Sequence, residues 1–451
     1  MVSQPGEPVT GPGPARGSFR RGMCVILAGY AGLSILYTRA TPPMEASDEN
    51  GHMAYIFYLK QHRALPVSRH EGPLALRTQE YTQPPLYYLM GALLAAPIDT
   101  TGYERHYRYR PGAPVGRADM PGSKRIFIPH GRTTYPYARP MRAIMLVRLL
   151  SLLWGAGTVL LIGVSVRALT PEHPENGWWA AALTAVNPMF LFISNSVNND
   201  TLATFLVTAA MSWMVLRHDR LAQPRGALGL GVLAGLAVSA KGSALILAPV
   251  IAWTIFRAPG SRAHRARAFA IAMGLTMLIS GPWMIRNMFL YGDPLATQMH
   301  MELAGNGRAS WQPLALLREW DGFIKSYWGV FGAFNVIYSD GVYTAFYAVT
   351  VLGLAAGLAG LLRRRGRDPR VESLWVLAVI NLLAVAVWTS RLLGSQGRLL
   401  FPSLLAWNGL FVLGLSCRRP VWERAVKLGV LLFLLWTALW GALFVIPSQY
   451  S

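Results

Sequence analysis

The stretch ASDENGHMAYIFYL places two adjacent carboxylates and a histidine directly after the first long apolar run of the chain. Asp48 and Glu49 could each act as a general base, and His52 follows one turn later on the same helix face. The alternative is an acidic helix start on an amphipathic surface helix. Ser47 is a good N-cap, and carboxylates are favoured in a first turn. The stretch alone leaves both interpretations open.

The same three side chains could also be metal ligands. Oxygen-rich magnesium or manganese sites require more carboxylates than Asp48, Glu49 and His52 supply, so we expect no metal and no other cofactor. The two cysteines, Cys24 and Cys417, fall in the first apolar run and beside a basic loop. This placement argues against a disulfide framework.

The composition is that of a membrane protein. Of the 451 residues, 53% are hydrophobic and only 14% are charged, against about a quarter in soluble proteins. Apolar runs of roughly 18 or more residues recur, each long enough to cross a bilayer as a helix. The net charge of +21 lies largely in short loops between these runs, where the positive-inside rule predicts it. We therefore predict an all-α polytopic membrane protein that binds no nucleic acid.

The distribution of charge predicts the topology. We predict about eleven transmembrane helices, near residues 22–39, 142–167, 177–193, 200–216, 226–241, 243–257, 268–289, 341–362, 372–390, 398–416 and 425–446. A further run at 84–98 is short and begins with two prolines. If it crossed, the arginine-rich loops that follow would all lie outside, so we expect it to lie at or dip into the outer face.

This topology divides the chain into six parts. They are the cytoplasmic tail 1–21, the first transmembrane helix 22–39, an extracytoplasmic loop 40–141 with interfacial helices and the acidic motif, a transmembrane core 142–289, a second extracytoplasmic segment 290–340 and C-terminal transmembrane helices 341–451. The cytoplasmic loops are too short to form a catalytic domain. Any chemistry should therefore occur at the outer membrane face.

Five further motifs follow the acidic stretch in a fixed order. They are EYTQPPLYYLMGALL (80–94), NPMFLFISNSVNNDTLATFL (187–206), SAKGSALILAP (239–249), WMIRNMFLYGDPLA (283–296) and QGRLLFP (396–402). The ordered set resembles the GT-C superfamily of membrane glycosyltransferases. It is most similar to the branch of the aminoarabinose and protein O-mannosyl transferases and related uncharacterised families.

The resemblance implies a GT-C-like fold and an inverting glycosyltransferase. Such an enzyme moves a sugar from a polyprenyl-phosphate carrier to an acceptor hydroxyl on a glycan, lipid or protein, here at the outer face of a bacterial inner membrane. Its partners would be the lipid-linked donor, a periplasmic acceptor and membrane lipids. The alternative is a transporter or lipid flippase, although ionisable residues inside broken helices would then be expected.

The resemblance also implies roles for individual residues. Asp48 would be the general base, with Glu49 as the rival. The side chains expected to bind the acceptor or the sugar are Glu49, His52, Tyr87 and Asp200. Those expected near the donor phosphate are Gln83, Lys241, Arg286 and Arg398. Gln83 departs from relatives that often have a lysine or histidine there, since a glutamine brings no charge. Structural alternatives remain: Asp200 could cap a helix, and Arg286 could be an interfacial snorkelling arginine.

Overall fold

The computed structural model describes residues 14–69, 78–103, 108–128, 137–363, 368–416 and 420–450. Within these ranges the protein is almost wholly helical. Its one sheet is a two-stranded antiparallel ribbon of β1 (Val330–Phe331) and β2 (Val336–Ile337). The predicted all-α membrane fold is confirmed. Cys417 and most of the tail 1–21 lie outside the described residues.

Seventeen α-helices lie within the described ranges. In chain order they are α1 Pro14–Ala40, α2 Glu49–His62, α3 Leu86–Ala95, α4 Arg139–Leu169, α5 Asn176–Ala185, α6 Pro188–Ser194, α7 Asp200–Leu216, α8 Pro224–Ala240, α9 Leu247–Arg257, α10 Arg262–Tyr291, α11 Thr297–Ala304, α12 Ala315–Arg318, α13 Trp320–Trp328, α14 Asp340–Arg363, α15 Pro369–Thr389, α16 Leu404–Leu415 and α17 Pro420–Trp440. Short 3-10 helices at Gln79–Thr82, Gly242–Ile246 and Gly397–Ser403 lead into α3, α9 and α16, and a π-helical turn at Gly441–Val445 extends α17.

The predicted number of spans is not confirmed. Seven helices in the described residues are long and apolar enough to cross a membrane, and the pair α5 and α6, bent by 65°, would make eight. Helices α7 and α8 and the segment 242–257 match predicted spans in position, but they are shorter than the seven helices counted as long enough to cross. Helix α3 has ten residues, about 15 Å, and is too short to cross. It therefore fits the prediction that 84–98 does not span the membrane.

Proline explains the bend between α5 and α6. Pro188 begins α6, where its missing N–H costs nothing, and the Asn187 side chain accepts a hydrogen bond from the Phe190 amide at 2.9 Å. Each half is therefore a separate helix. The bend directs the end of α6 towards the polar loop 195–199, which contacts the acidic motif.

Contacts between distant segments show which parts of the chain lie at each end of the helix bundle. At one end, the loop 108–128 joins the segment 290–340 through the Gly116 amide and Ala333 carbonyl, 2.9 Å apart. At the other end, Phe19 stacks on Trp178, and Lys427 donates to Asn176 at 2.8 Å. The loops predicted to be cytoplasmic thus meet at the end opposite the two long segments.

Glycines permit close helix packing in the core. A Cβ atom at Gly231 on α8 would lie 2.7 Å from the Ala272 carbonyl oxygen on α10, and one at Gly360 on α14 would lie 3.0 Å from Gly414 Cα on α16. Small residues at such contacts let helix backbones approach closely, as is common in membrane bundles. This packing fixes the helix ends that hold the polar cluster described next.

Candidate active site

The acidic stretch begins a buried helix, which differs from the surface helix we considered. Met53, Ile56 and Phe57 are at most 2% exposed, so α2 is part of the core. Ser47 was predicted as the N-cap, but α2 begins at Glu49 and Asp48 occupies the cap with φ +62°. Aspartate tolerates this left-handed conformation better than most residues. The two adjacent carboxylates consequently point in different directions.

Asp48 faces a polar cluster at the ends of several helices. Its carboxylate forms an ion pair with Arg398, whose guanidinium also donates to the Ser47 hydroxyl at 2.9 Å. The same guanidinium lies 3.8 Å from the carboxylate of Asp200. Asp200 in turn forms an ion pair with Lys241. The structure thus brings together four residues that are widely separated in sequence.

Local backbone structure places each of these charges. Asp200 lies in the first turn of α7, and Lys241 follows the last residue of α8. Arg398 lies in the 3-10 helix before α16, where Gly397 packs against the backbone of α13 and donates to the Ser326 hydroxyl at 2.8 Å. A side chain at Gly397 would collide with that backbone. The glycine therefore lets Arg398 reach Asp48.

Asp48 is the most accessible carboxylate of the cluster. Its side chain is 27% exposed, against 10% for Asp200 and 6% for Arg398. Burial opposes the ionisation of Asp48, but the neighbouring Arg398 outweighs it and holds the pKa of Asp48 below its usual range. Asp48 is therefore an ionised carboxylate near neutral pH that an incoming molecule can reach.

Glu49 is fully buried, and both oxygens of its carboxylate already accept hydrogen bonds. Arg148 donates to both of its oxygens, at 2.7 and 2.6 Å, from within α4. The backbone amides of Met44 and Val197 also donate to this carboxylate, at 2.7 and 2.9 Å. Removing one partner of such a buried pair leaves an uncompensated charge. These contacts give Glu49 a structural role, and they do not fit the predicted role in binding acceptor or sugar.

His52 lies beneath Asp48 in a layer of aromatic rings. Its Nδ1 atom is 2.9 Å from the Tyr88 hydroxyl, and Tyr88 stacks on Tyr55 with ring centroids 3.9 Å apart. Burial, reinforced by the positive charge of Lys241 and opposed by the negative charge of Asp48, lowers the pKa of His52 to about 4. A neutral imidazole at this position can hydrogen-bond but carries no charge at pH 7.

Two further titratable groups border the cluster and were not singled out from the sequence. Glu80 packs its carboxylate against Gly51, and burial together with the charge of Asp48 raises the pKa of Glu80 to about 7. His300 on α11 lies 3.0 Å from the Thr82 hydroxyl. Burial and the nearby charge of Lys241 lower the pKa of His300 to about 4.

The remaining three predicted residues lie in different environments. Gln83 lies beside the cluster, where it accepts a hydrogen bond from Asn199 at 2.8 Å. Tyr87 is fully buried and joins α3 to Ser151 and to the Asn198 amide, so it does not line a groove. Arg286 lies further along the same face, where it donates to the Pro66 carbonyl at 2.6 Å.

Two of the residues that we did not predict had a recognisable signal in the sequence, and one had none. Arg148 was a charge within a predicted span, which usually indicates a functional or paired residue. Glu80 stands three residues before Gln83 in a motif already identified. His300 lies in a segment whose path could not be predicted, so nothing in the sequence connected it with Thr82. In the described residues, no group of three or more histidine, cysteine, aspartate or glutamate side chains has an arrangement suited to a metal ion.

Comparison with known proteins agrees with this architecture. The family model of the dolichyl-phosphate-mannose-protein mannosyltransferases matches residues 141–285, about a third of the chain. The matched region contains Asp200 and Lys241 but neither Asp48 nor Arg398. Comparison with curated protein sequences gives no match.

Solved structures with the same fold cover nearly the whole chain. The oligosaccharyltransferase of Archaeoglobus fulgidus superposes with a TM-score of 0.54 at 14% identity over 95% of this chain. ArnT from Cupriavidus metallidurans in the apo state superposes with a TM-score of 0.52 at 13% identity over 92% of this chain. The chain therefore shares the fold of these two proteins, and about a third of it matches the mannosyltransferase family model.

The chain spans only part of the length of the proteins that share its fold. It spans 53% of the archaeal oligosaccharyltransferase and 62% of apo ArnT. A second ArnT structure, bound to undecaprenyl phosphate, matches 97% of this chain with a TM-score of 0.51, at 14% identity and over 74% of its own length. At such low identity the likeness concerns the fold, and the activity has to be argued from the site.

Proposed function

We propose that this protein is an inverting glycosyltransferase of the GT-C type that takes a sugar from a polyprenyl-phosphate carrier. The acceptor is a hydroxyl group at the outer face of a bacterial inner membrane. The observation on which the proposal depends most is the partly exposed, ionised Asp48 held by Arg398, with Lys241 in the same cluster. A positioned carboxylate next to cations is what transfer from a phosphate-linked sugar requires.

Asp48 acts as the general base in the proposed reaction. Its carboxylate accepts the proton of the acceptor hydroxyl while that oxygen forms a bond to the anomeric carbon. The bond from the anomeric carbon to the carrier phosphate oxygen breaks, and its electron pair leaves with the phosphate. Attack from the face opposite the leaving group inverts the anomeric configuration. The depressed pKa of Asp48 ensures that the carboxylate is ionised at neutral pH.

Lys241 and Arg398 provide positive charge close to Asp48. The leaving phosphate gains charge as the glycosidic bond breaks, and fixed cations stabilise this charge without reorganisation. Asp200 holds Lys241 and faces Arg398, so it positions both cations. Gln83 and Arg286 lie on the same face and would donate to the phosphate from further out. His52, neutral and bonded to Tyr88, is only 3% exposed, so it would support the site from beneath Asp48 and would not bind the sugar as predicted.

Fold and chemistry together support a polyprenyl-phosphate carrier. One ArnT structure was solved with undecaprenyl phosphate, and an Archaeoglobus fulgidus oligosaccharyltransferase structure was solved with dolichol-phosphate and an inhibitory peptide. Both ligands belong to those proteins. In this chain, the cluster lies at the ends of apolar helices, so a long lipid could remain in the bilayer while its phosphate reaches the cations.

The experiment that tests the proposal is product analysis with purified protein in vesicles. Polyprenyl-phosphate sugars and an envelope fraction from the native cell are added, and mass spectrometry follows the loss of the sugar from the carrier. We expect carrier phosphate and a glycosylated product to appear together, with inverted anomeric configuration by NMR. Retained configuration would contradict the mechanism. Movement of intact lipid across the vesicle without sugar transfer would favour a flippase instead.

A further inference from the structure

An open pocket lies between the end of α11, the loop that follows it and the residue beyond the end of α15. Its volume is about 640 Å³, within the size range of small-molecule sites. Its walls are the end of α11 with Met301 and Glu302, the loop 305–311, and Arg391 just beyond α15. None of the roles proposed so far uses these residues.

The cavity has a rigid floor. The Arg308 amide donates to the Arg391 carbonyl at 2.8 Å, and the Gln312 amide donates to the Ser390 carbonyl at 3.0 Å. The Trp311 indole N–H donates to the Ser390 hydroxyl at 2.8 Å. Loop 305–311 is therefore fixed to the residues that follow α15, and the indole ring of Trp311 is held in one orientation.

The Trp311 ring is fixed by a hydrogen bond, but its face is exposed to solvent. Its side chain lines the cavity and is 69% exposed, although burial of so large an apolar surface would be favourable. Its only polar atom is already bonded inside the protein. An exposed, fixed aromatic face of this kind is suited to stacking against the apolar face of a sugar ring.

Opposite charges line the same cavity. Arg391 is exposed, and its guanidinium has no hydrogen-bonding or ion-pair partner in the part of the chain that the structure describes. Glu302 supplies a carboxylate on another wall, where it accepts a hydrogen bond from the Gln298 side chain at 3.0 Å, and a carboxylate can accept several such bonds. A phosphate group would be attracted by Arg391 and repelled by Glu302. Sugar hydroxyls both donate and accept, so a carbohydrate without net charge can bond to both.

The cavity is close to the proposed base. His300, one residue before Met301, contacts Thr82 beside the polar cluster and lies over Trp388 with ring centroids 5.7 Å apart. The charges of Lys241 and Asp48 both act on His300. A chain of sugars bound in the cavity would therefore have its end near the candidate active site.

We propose that this cavity is an acceptor subsite for a neutral carbohydrate chain. One sugar ring stacks on Trp311, and neighbouring hydroxyls bond to Arg391 and Glu302. The inference rests on the proposed transferase activity and deepens it, because it names a glycan as the acceptor class. The terminal hydroxyl of that glycan is the group that Asp48 deprotonates.

Binding to an oligosaccharide array tests the subsite without any transfer reaction. The full-length protein is purified in an amine-oxide detergent, since maltoside detergents contain a sugar. We expect it to bind a subset of neutral oligosaccharides, and Trp311→Ala and Arg391→Gln each to bind them about tenfold more weakly. Trp311→Phe keeps an aromatic face and should restore most of the binding. Thermal unfolding curves identify any variant that has not folded.

Matched controls separate stacking from membrane anchoring. Trp320 is 54% exposed on the same outer segment but does not line the cavity, and Arg318 is an exposed cation near it. Trp320→Ala and Arg318→Gln should bind oligosaccharides like the wild type. Equal losses in Trp311→Ala and Trp320→Ala, or no array binding by the wild-type protein, would overturn the subsite. Arg391-dependent binding of anionic phospholipid vesicles in place of oligosaccharides would overturn it as well.

The two proposals can fail separately. If the array result holds but no sugar leaves a polyprenyl-phosphate donor, the subsite stands and the transferase activity is rejected. If sugar is transferred to a lipid or protein at a rate that Trp311→Ala leaves unchanged, the activity stands and the glycan subsite is rejected.

Discussion

Arg398 and Asp48 form an ion pair across 350 residues of sequence, and Arg398 also binds the Ser47 hydroxyl beside it. The pair fixes the carboxylate at a helix start whose backbone is left-handed. It also keeps that carboxylate ionised. A single arginine thus controls both the position and the protonation of the proposed base.

Replacing Arg398 should change the pH dependence of transfer. Arg398→Gln removes the charge that lowers the pKa of Asp48, so that pKa rises and the acid limb of the rate profile moves to higher pH. Arg398→Lys keeps the charge but not the paired hydrogen bonds, so its acid limb should move less while its rate falls. The measurement is the transfer rate from pH 4 to pH 9. An unshifted acid limb in Arg398→Gln would mean that Asp48 is not the group that titrates.

Glu49 should be needed for stability and not for proton transfer. Glu49→Gln leaves the charge of Arg148 uncompensated in the core, at a cost of about 3–5 kcal/mol in the free energy of unfolding. The folded fraction should still transfer sugar within about tenfold of the wild-type rate. Thermal unfolding and a transfer assay on the same sample measure the two effects. A stable but inactive Glu49→Gln protein would restore Glu49 as the rival base.

Glu80 should give the transfer rate an ionisation near pH 7. Burial raises its pKa to about 7, and its ionisation places a second negative charge next to Asp48. That charge makes Asp48 a stronger base, so the wild-type rate at saturating donor should rise through pH 7. Glu80→Gln should be flat between pH 6 and pH 8. Asp119→Asn, in an exposed outer loop, serves as the control with the wild-type profile. A rise through pH 7 that persists in Glu80→Gln would assign the ionisation to another group.

Two buried histidines should make the protein sensitive to acid. The pKa values of His52 and His300 are about 4 in the folded protein against 6.5 when exposed, because burial disfavours the charged imidazole. The unfolded chain therefore binds more protons between these values. Stability should be full above pH 6.5 and should fall as the pH drops towards 4, by up to about 3 kcal/mol for each histidine.

The double variant His52→Gln with His300→Gln should flatten this dependence. Melting temperatures between pH 4 and pH 7 measure it, and His173→Gln, an exposed histidine at the other end of the bundle, should leave the slope unchanged. An equally steep slope in the double variant would show that other groups cause the acid sensitivity.

The fold was largely predictable because the membrane restricts it. Apolar length and the placement of arginines located all eleven predicted segments, and the proline-led run at 84–98 proved too short to cross. What charge counting could not settle was whether every predicted segment crosses the membrane. Helices α7 and α8 have 17 residues each, close to the predicted lengths, and are shorter than the seven helices that are long enough to cross. The predicted count of eleven therefore remains unconfirmed.

The site was only partly predictable, since side-chain direction depends on one backbone angle. The sequence placed Asp48 and Glu49 together, and it could not show that a left-handed cap turns them apart. The resemblance favoured Asp48 over Glu49, and the physical reason came from Arg148, whose pairing with Glu49 spans 99 residues. Arg398 was predicted near the phosphate, but its contact with Ser47 and Asp48 depends on the close packing of Gly397.

The most direct measurement is the single-turnover rate of Asp48→Asn with saturating donor and acceptor. Asparagine tolerates the left-handed conformation and keeps the size of the side chain, and Asp200 still lies 3.8 Å from Arg398 to compensate its charge, so the fold and donor binding should be preserved. We predict a rate about 10²- to 10⁴-fold below the wild type, as expected for loss of a general base. Asp119→Asn should react at the wild-type rate. Full transfer by a folded Asp48→Asn protein would contradict the role of Asp48 as the base.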